Sequence, residues 1–157
     1  MRTTTIAVTL GMLLAIGTLY ATDTPLEGTW KLNESKSKLT KGTGKNSTVT
    51  YEDTVMGKVR VTVEGTDADG KPSHNEWKGK FDGKDYKVDG DPNFDTRSYR
   101  KIDDHTLEMT LKKGGKVVGM GTVKVSADGK TRTVKTSGTM ANGKKFKSTA
   151  VYDKASD

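Results

Sequence analysis

The chain has no cysteine, three prolines and two histidines in 157 residues. Without a thiol it forms no disulfide, holds no thiolate metal site and offers no cysteine for a lipid anchor. His74 and His105 fall on polar strand phases or at a turn, and Glu76 beside His74 is thin material for a metal centre. Aromatic residues make up 6% of the chain. No basic block is interleaved with them as a single-strand nucleic-acid groove requires. No serine stands in a nucleophile elbow, and no glycine-rich loop precedes a helix to cradle phosphate. Asp103-Asp104 reads as turn chemistry. These shortages point away from an enzyme, a metal site, a cofactor and a nucleic-acid partner. Beyond residue 21 helical periodicity is also nearly absent.

What is present begins with a segment unlike the rest. Arg2 gives a short positive start, Ile6 to Leu19 is an apolar run, and Leu19-Tyr20-Ala21 ends in a cleavage-like site. Residues 1–21 therefore read as a secretory signal peptide, too short to span a membrane comfortably. The expected product is a single exported domain over residues 22–157, periplasmic or extracellular, and monomeric. A secreted chain without disulfides suits a bacterial exporter and needs a self-sufficient core. Cleavage removes one base and no acid, so the net charge falls from +7 to +6. Acids are interleaved with the lysines, which favours a solvated basic exterior over an anion-tracking groove.

The remainder is a succession of short alternating segments. Trp30 and Leu32 alternate with Thr29, Lys31 and Asn33, which makes one face apolar and the other wet. Glu34 to Leu39 allows a single helical turn, with Leu39 as a plug for one barrel end. Val49, Tyr51, Asp53 and Val55 then share a face, as do Val59, Val61 and Val63. Further strands are expected around Asn75–Phe81, Tyr86–Val88, Phe94–Ile102, Leu107–Leu111, Val117–Val125, Arg132–Met140 and Phe146–Tyr152. Ala68-Asp69-Gly70-Lys71 reads as a type I′ hairpin turn, and Ala127-Asp128-Gly129-Lys130 and Ala141-Asn142-Gly143-Lys144 repeat it. Turns recur roughly every eight to fourteen residues, which predicts an antiparallel meander. A meander of 8–10 strands closes or splits, and neighbour-to-neighbour connectivity favours an up-and-down barrel without exposed edges.

The predicted lumen holds Trp30, Tyr51, Trp77, Met109 and Tyr152 among its large residues. Gly119, Gly121, Gly138, Ser148 and Ala150 are small residues on inward positions that leave room. Whether that room holds a ligand or is filled by Trp30 and Trp77 stays open. Arg97-Ser98-Tyr99-Arg100 is the most informative polar stretch. One phase turns Arg97 and Tyr99 inward; the other turns Phe94, Ser98, Arg100 and Ile102 inward and has the better apolar anchors. Either way one arginine points toward the lumen, where it needs a partner. Asp53 is a structural partner of that kind. A ligand carboxylate or phosphate is the functional one.

Gly28-Thr29-Trp30-Lys31-Leu32 resembles the Gly-x-Trp first strand of the calycins, the lipocalin and fatty-acid-binding-protein group. Thr149-Ala150-Val151-Tyr152-Asp153-Lys154-Ala155 resembles the closing strand of the fatty-acid-binding branch. The chain as a whole is most similar to small secreted lipocalin-like proteins of bacteria. The resemblance implies a lipocalin-like barrel that holds a small, mainly hydrophobic ligand. Three departures limit it. Glu34–Asn46 is too short for a helix-turn-helix lid. Ala150 stands where the Arg-x-Tyr carboxylate clamp has arginine, so that clamp does not carry over to Tyr152. The later lipocalin Thr-Asp-Tyr motif is missing. The leading expectation is a binding barrel using Trp77, Tyr51, Met109 and their neighbours. The second is a filled barrel whose basic exterior meets anionic envelope polymers. A third, a barrel enzyme, would require Asp53 beside Arg97 or Arg100.

Overall fold

The computed structural model describes residues 24–156. The expected leader, residues 1–21, lies outside the described residues. Ten strands, β1 (Gly28–Leu32), β2 (Lys45–Thr54), β3 (Lys58–Thr66), β4 (Pro72–Gly79), β5 (Tyr86–Asp89), β6 (Thr96–Asp103), β7 (Thr106–Lys113), β8 (Lys116–Val125), β9 (Thr131–Thr139) and β10 (Lys145–Ser156), follow one another. Each pairs antiparallel with its sequence neighbours, and β10 returns to β1 to close the barrel. This is the up-and-down architecture the alternation predicts. Closure leaves no sheet edge to pair with another chain.

The alternation fixes which face is buried. On β3, Val59, Val61 and Val63 point inward and are at most 7% exposed. Between them, Arg60 faces outward across from Glu52 of β2 and Glu76 of β4, at 3.7 Å from each carboxylate. Cross-strand pairs carry the pattern round the barrel, with Val49 opposite Val63, Tyr51 opposite Val61 and Val61 opposite Trp77. Fully burying a side chain of this size contributes about 1.5–3 kcal/mol.

The anticipated helical turn is a 3₁₀ turn, Glu34–Lys36, capped by the Asn33 side chain. Asn33 is held by Asp153 at 2.6 Å, and Lys38 pairs with Thr149, so this connection lies along β10. Val55 is the clearest departure from the expected inward set. β2 ends at Thr54, and Val55 stands on the following turn, 77% exposed. The Asp-Gly turns also differ from expectation. A type I′ turn needs positive φ at both central residues, but only Gly70 has it (φ 80°). The Gly70 N–H donates to the Asp67 carbonyl at 3.1 Å, and the Asp67 carboxylate accepts from the Asp69 and Lys71 amides. The acid two residues before the Asp-Gly pair organises this turn.

The two ends of the barrel are unlike. Trp30 is fully buried and its indole N–H donates to the Leu26 carbonyl at 2.8 Å, drawing the lead-in across one end. Trp77, also fully buried, donates to the Arg97 carbonyl at 2.8 Å. It stacks on Phe81 at 6.2 Å and meets Tyr86 and Tyr99 edge-on at 5.7 and 4.9 Å. Such aromatic pairs contribute about 0.5–1.5 kcal/mol beyond their burial. Together with Val123, Val125 and Leu107 they pack that half of the interior solid.

Candidate functional site

The other half is hollow. A cavity of ≈ 720 Å³ opens between the β1–β2, β3–β4, β5–β6, β7–β8 and β9–β10 connections. Its wall is mainly apolar and includes Val49, Val63, Leu111, Val134, Phe146 and Ala150. Polar residues of the mouth such as Lys45, Asp67, His74, Asp91 and Asn93 line it as well, and its buried polar group is Asn75, Arg97, Tyr99, Arg132 and Tyr152.

The two arginines define this polar group. Arg97 begins near the open end of β6 and is 5% exposed. Its guanidinium donates to the Asn75 amide oxygen at 3.2 Å and to the Tyr99 hydroxyl at 3.3 Å, and lies 5.1 Å from the Phe94 ring centroid. Arg132 begins near the closed end of β9 and is 4% exposed. Its Nη2 donates to the Tyr51 hydroxyl at 2.7 Å, and its guanidinium lies 5.1 Å from the Tyr51 ring and 4.7 Å from the Tyr152 ring. Tyr51 lies in the field of both cations, Arg132 more strongly than Arg97.

Burial pushes the Tyr51 and Tyr152 phenols above the ordinary tyrosine range, against the pull of Arg132. Both are therefore neutral at physiological pH. For Arg132 burial works against the charge, but the oxygens of Tyr51, Tyr152 and Tyr99 outweigh it and its pKa is raised.

The expected site residues divide into three groups. Arg97, Tyr99, Met109 and Tyr152 line the cavity. Trp30, Tyr51 and Trp77 are buried in the packed layer beneath it rather than on its wall. Asp53 and Arg100 are outside. Asp53 keeps its inward phase, opposite Val59, but stands one residue from the end of β2 and is exposed. It therefore partners neither arginine. Arg100 faces outward and donates to Glu108 from Nε at 2.9 Å and from Nη2 at 2.6 Å.

The phase of β6 is thus opposite to the one its apolar anchors favour. Pairing with β7 decides it, because Arg97 opposes Leu111 and Tyr99 opposes Met109, both inward. Ile102 then falls on the outward phase with Arg100 and is 51% exposed. Arg132 was not among the expected site residues. The available signal was its place two residues before Val134, on the face already assigned to the lumen.

The expected source of the cavity also changes. Gly119, Gly121 and Gly138 do not line it. A methyl on Gly121 would meet the Lys135 carbonyl oxygen at 2.2 Å, and one on Gly138 would meet the Val118 carbonyl oxygen at 2.1 Å. These glycines let neighbouring backbones approach closely. Ser148 and Ala150 do line it as expected, and the rest of the room comes from the valines and from the aromatics being gathered at the other end.

No known protein family matches the sequence, and no curated protein matches it. Several solved structures are similar in shape. One is a redesigned beta barrel, mFAP1, bound to DFHBI, with 18% identity over 83% of this chain and 95% of that one, at a TM-score of 0.43. Another is EF1p2_mFAP2b bound to DFHBI, with 14% identity over 83% of this chain and 94% of that one, at a TM-score of 0.46. At these values the likeness carries no argument about function, and the fold stands on the strand pairing described above.

Proposed function

We propose that this chain is an exported small-molecule-binding barrel that holds a mainly apolar ligand in its lumen, without catalysis and without a cofactor. The observation that carries this reading is the ≈ 720 Å³ cavity, open at one end and walled by valine, leucine, methionine and phenylalanine side chains. Small-molecule sites occupy about 300–1,000 Å³ and combine apolar walls with a few convergent polar groups. A barrel serving only as a surface module gains nothing from a hollow half, since an unfilled apolar interior forfeits packing. Export rests on the leader-like composition of residues 1–21, and the calycin-like resemblance of β1 and β10 is in keeping with the same role.

The reading is tested with a neutral solvatochromic naphthalene dye and an Ala150→Phe variant. Saturable one-to-one uptake with blue-shifted emission, weakened about tenfold or more by the added ring, is the expected result. An absence of saturable uptake, or uptake indifferent to Ala150→Phe in a folded variant, would overturn it.

A further inference from the structure

Resting on that lumen-binding reading, we infer that the ligand is an amphiphilic anion whose carboxylate, sulfate or phosphate head group is held by Arg132 and Arg97 at the bottom of the cavity. The four described arginines divide sharply by location. Arg60 and Arg100, on the outside, face carboxylates of Glu52, Glu76 and Glu108. Arg97 and Arg132, inside, have only phenols and an amide as hydrogen-bond partners. Among the described residues, the buried polar and charged set is Asn75, Arg97, Ser98 and Arg132, with no aspartate or glutamate. Asp91, which lines the same cavity, accepts from the Asn75 amide at 3.4 Å.

Two guanidinium charges thus share a low-dielectric interior with no counter-charge. Nε and Nη1 of Arg132 and Nε of Arg97 also have no hydrogen-bond partner. Buried cations are ordinarily paired, and buried donors are ordinarily bonded. A planar fork with free donors is suited to oxyanions. The phenols that flank it stay neutral, so they orient the arginines without competing for their charge. The donors stand on β6 and β9 rather than on the closing strand, where Ala150 leaves no clamp. The head group therefore goes in first, and the tail lies along the apolar wall toward Phe146 and Leu39 at the mouth.

The test displaces the neutral dye from the folded protein with four single-chain probes of equal length: dodecanol, dodecanoate, dodecyl sulfate and dodecyl phosphate. The expected result is that at least one anion binds about tenfold or more tightly than the alcohol. The ranking of the three anions identifies the head group. Arg132→Gln, and independently Arg97→Gln, are expected to weaken that anion about tenfold while leaving dodecanol within about threefold. Arg132→Lys, which keeps the charge without the fork, falls between. Equal binding of alcohol and anions would overturn the inference and leave the lumen-binding reading standing. So would equal weakening of both by Arg132→Gln in a variant with wild-type circular dichroism. Uptake of no probe at all would overturn both.

Discussion

Arg132 should stabilise the empty barrel little or not at all. Replacing it with methionine removes a buried cation whose Nε and Nη1 are unbonded, and each such buried donor costs about 1–3 kcal/mol. Against that, Arg132→Met gives up the 2.7 Å bond to the Tyr51 hydroxyl and the contacts with two tyrosine rings. A hydrogen bond to a charged group contributes about 1.5–3 kcal/mol, and a desolvated cation–π contact up to about 2 kcal/mol. The gains and losses are of one size, so the single variant should lie within about 1 kcal/mol of wild type. The double variant Arg132→Met/Tyr51→Phe removes both partners at once and leaves no orphaned hydroxyl. Replacing buried charge with apolar groups of similar volume commonly stabilises by about 1–4 kcal/mol, and about 1–3 kcal/mol is expected here. The assay is urea unfolding at neutral pH without ligand, read from the midpoint at constant slope. Loss of more than about 2 kcal/mol in the double variant would refute the reasoning. It would mean that Arg132 is fully satisfied in the empty protein and is there for stability.

Gly79→Ala should destabilise by about 1–3 kcal/mol through overpacking, because the added methyl would sit 2.5 Å from Tyr86 and 2.6 Å from Trp77; near-ultraviolet circular dichroism of the tryptophans should change with it, and an unchanged spectrum would contradict the packed aromatic end. Alkaline titration should show Tyr51 and Tyr152 ionising late, since burial raises both. The unfolded chain binds fewer protons above its tyrosine pKa of about 10, so stability is intact below that pH and falls as pH rises beyond it; ordinary ionisation of every tyrosine in the folded protein would count against the buried cluster. Arg100→Met should change stability by no more than about 1 kcal/mol, as its pair with Glu108 is exposed, and should leave dye uptake unchanged; a marked loss of uptake would return Arg100 to the lumen.

The fold was legible because the barrel is built from local rules. Val59, Val61 and Val63 announce a half-buried strand, and the recurring glycine turns announce hairpins. Closure follows from having no edge strand to spare. The site was legible only in part, for reasons that also lie in the residues. Alternation tells which residues share a face but not how far along the barrel a face stays buried, so Asp53 and Val55 were assigned to a lumen that ends before them. The phase of β6 was weighed on Phe94 and Ile102 at its ends, whereas the pairing of Arg97 with Leu111 and Tyr99 with Met109 decides it. Arg132 shares its phase with Val134, but sequence does not show that its level on β9 brings it beside Tyr51 and Tyr152. Nor does sequence show that Trp30 and Trp77 gather at one end and leave the other open, since both lie on inward positions at either end alike.

Native mass spectrometry of the protein, purified without detergent, tests the central claim most directly. The account predicts an additional mass that survives gentle ionisation, disappears on denaturation, and yields an organic anion with an apolar tail. A clean mass for the empty chain, with no uptake from a lipid extract, would contradict it.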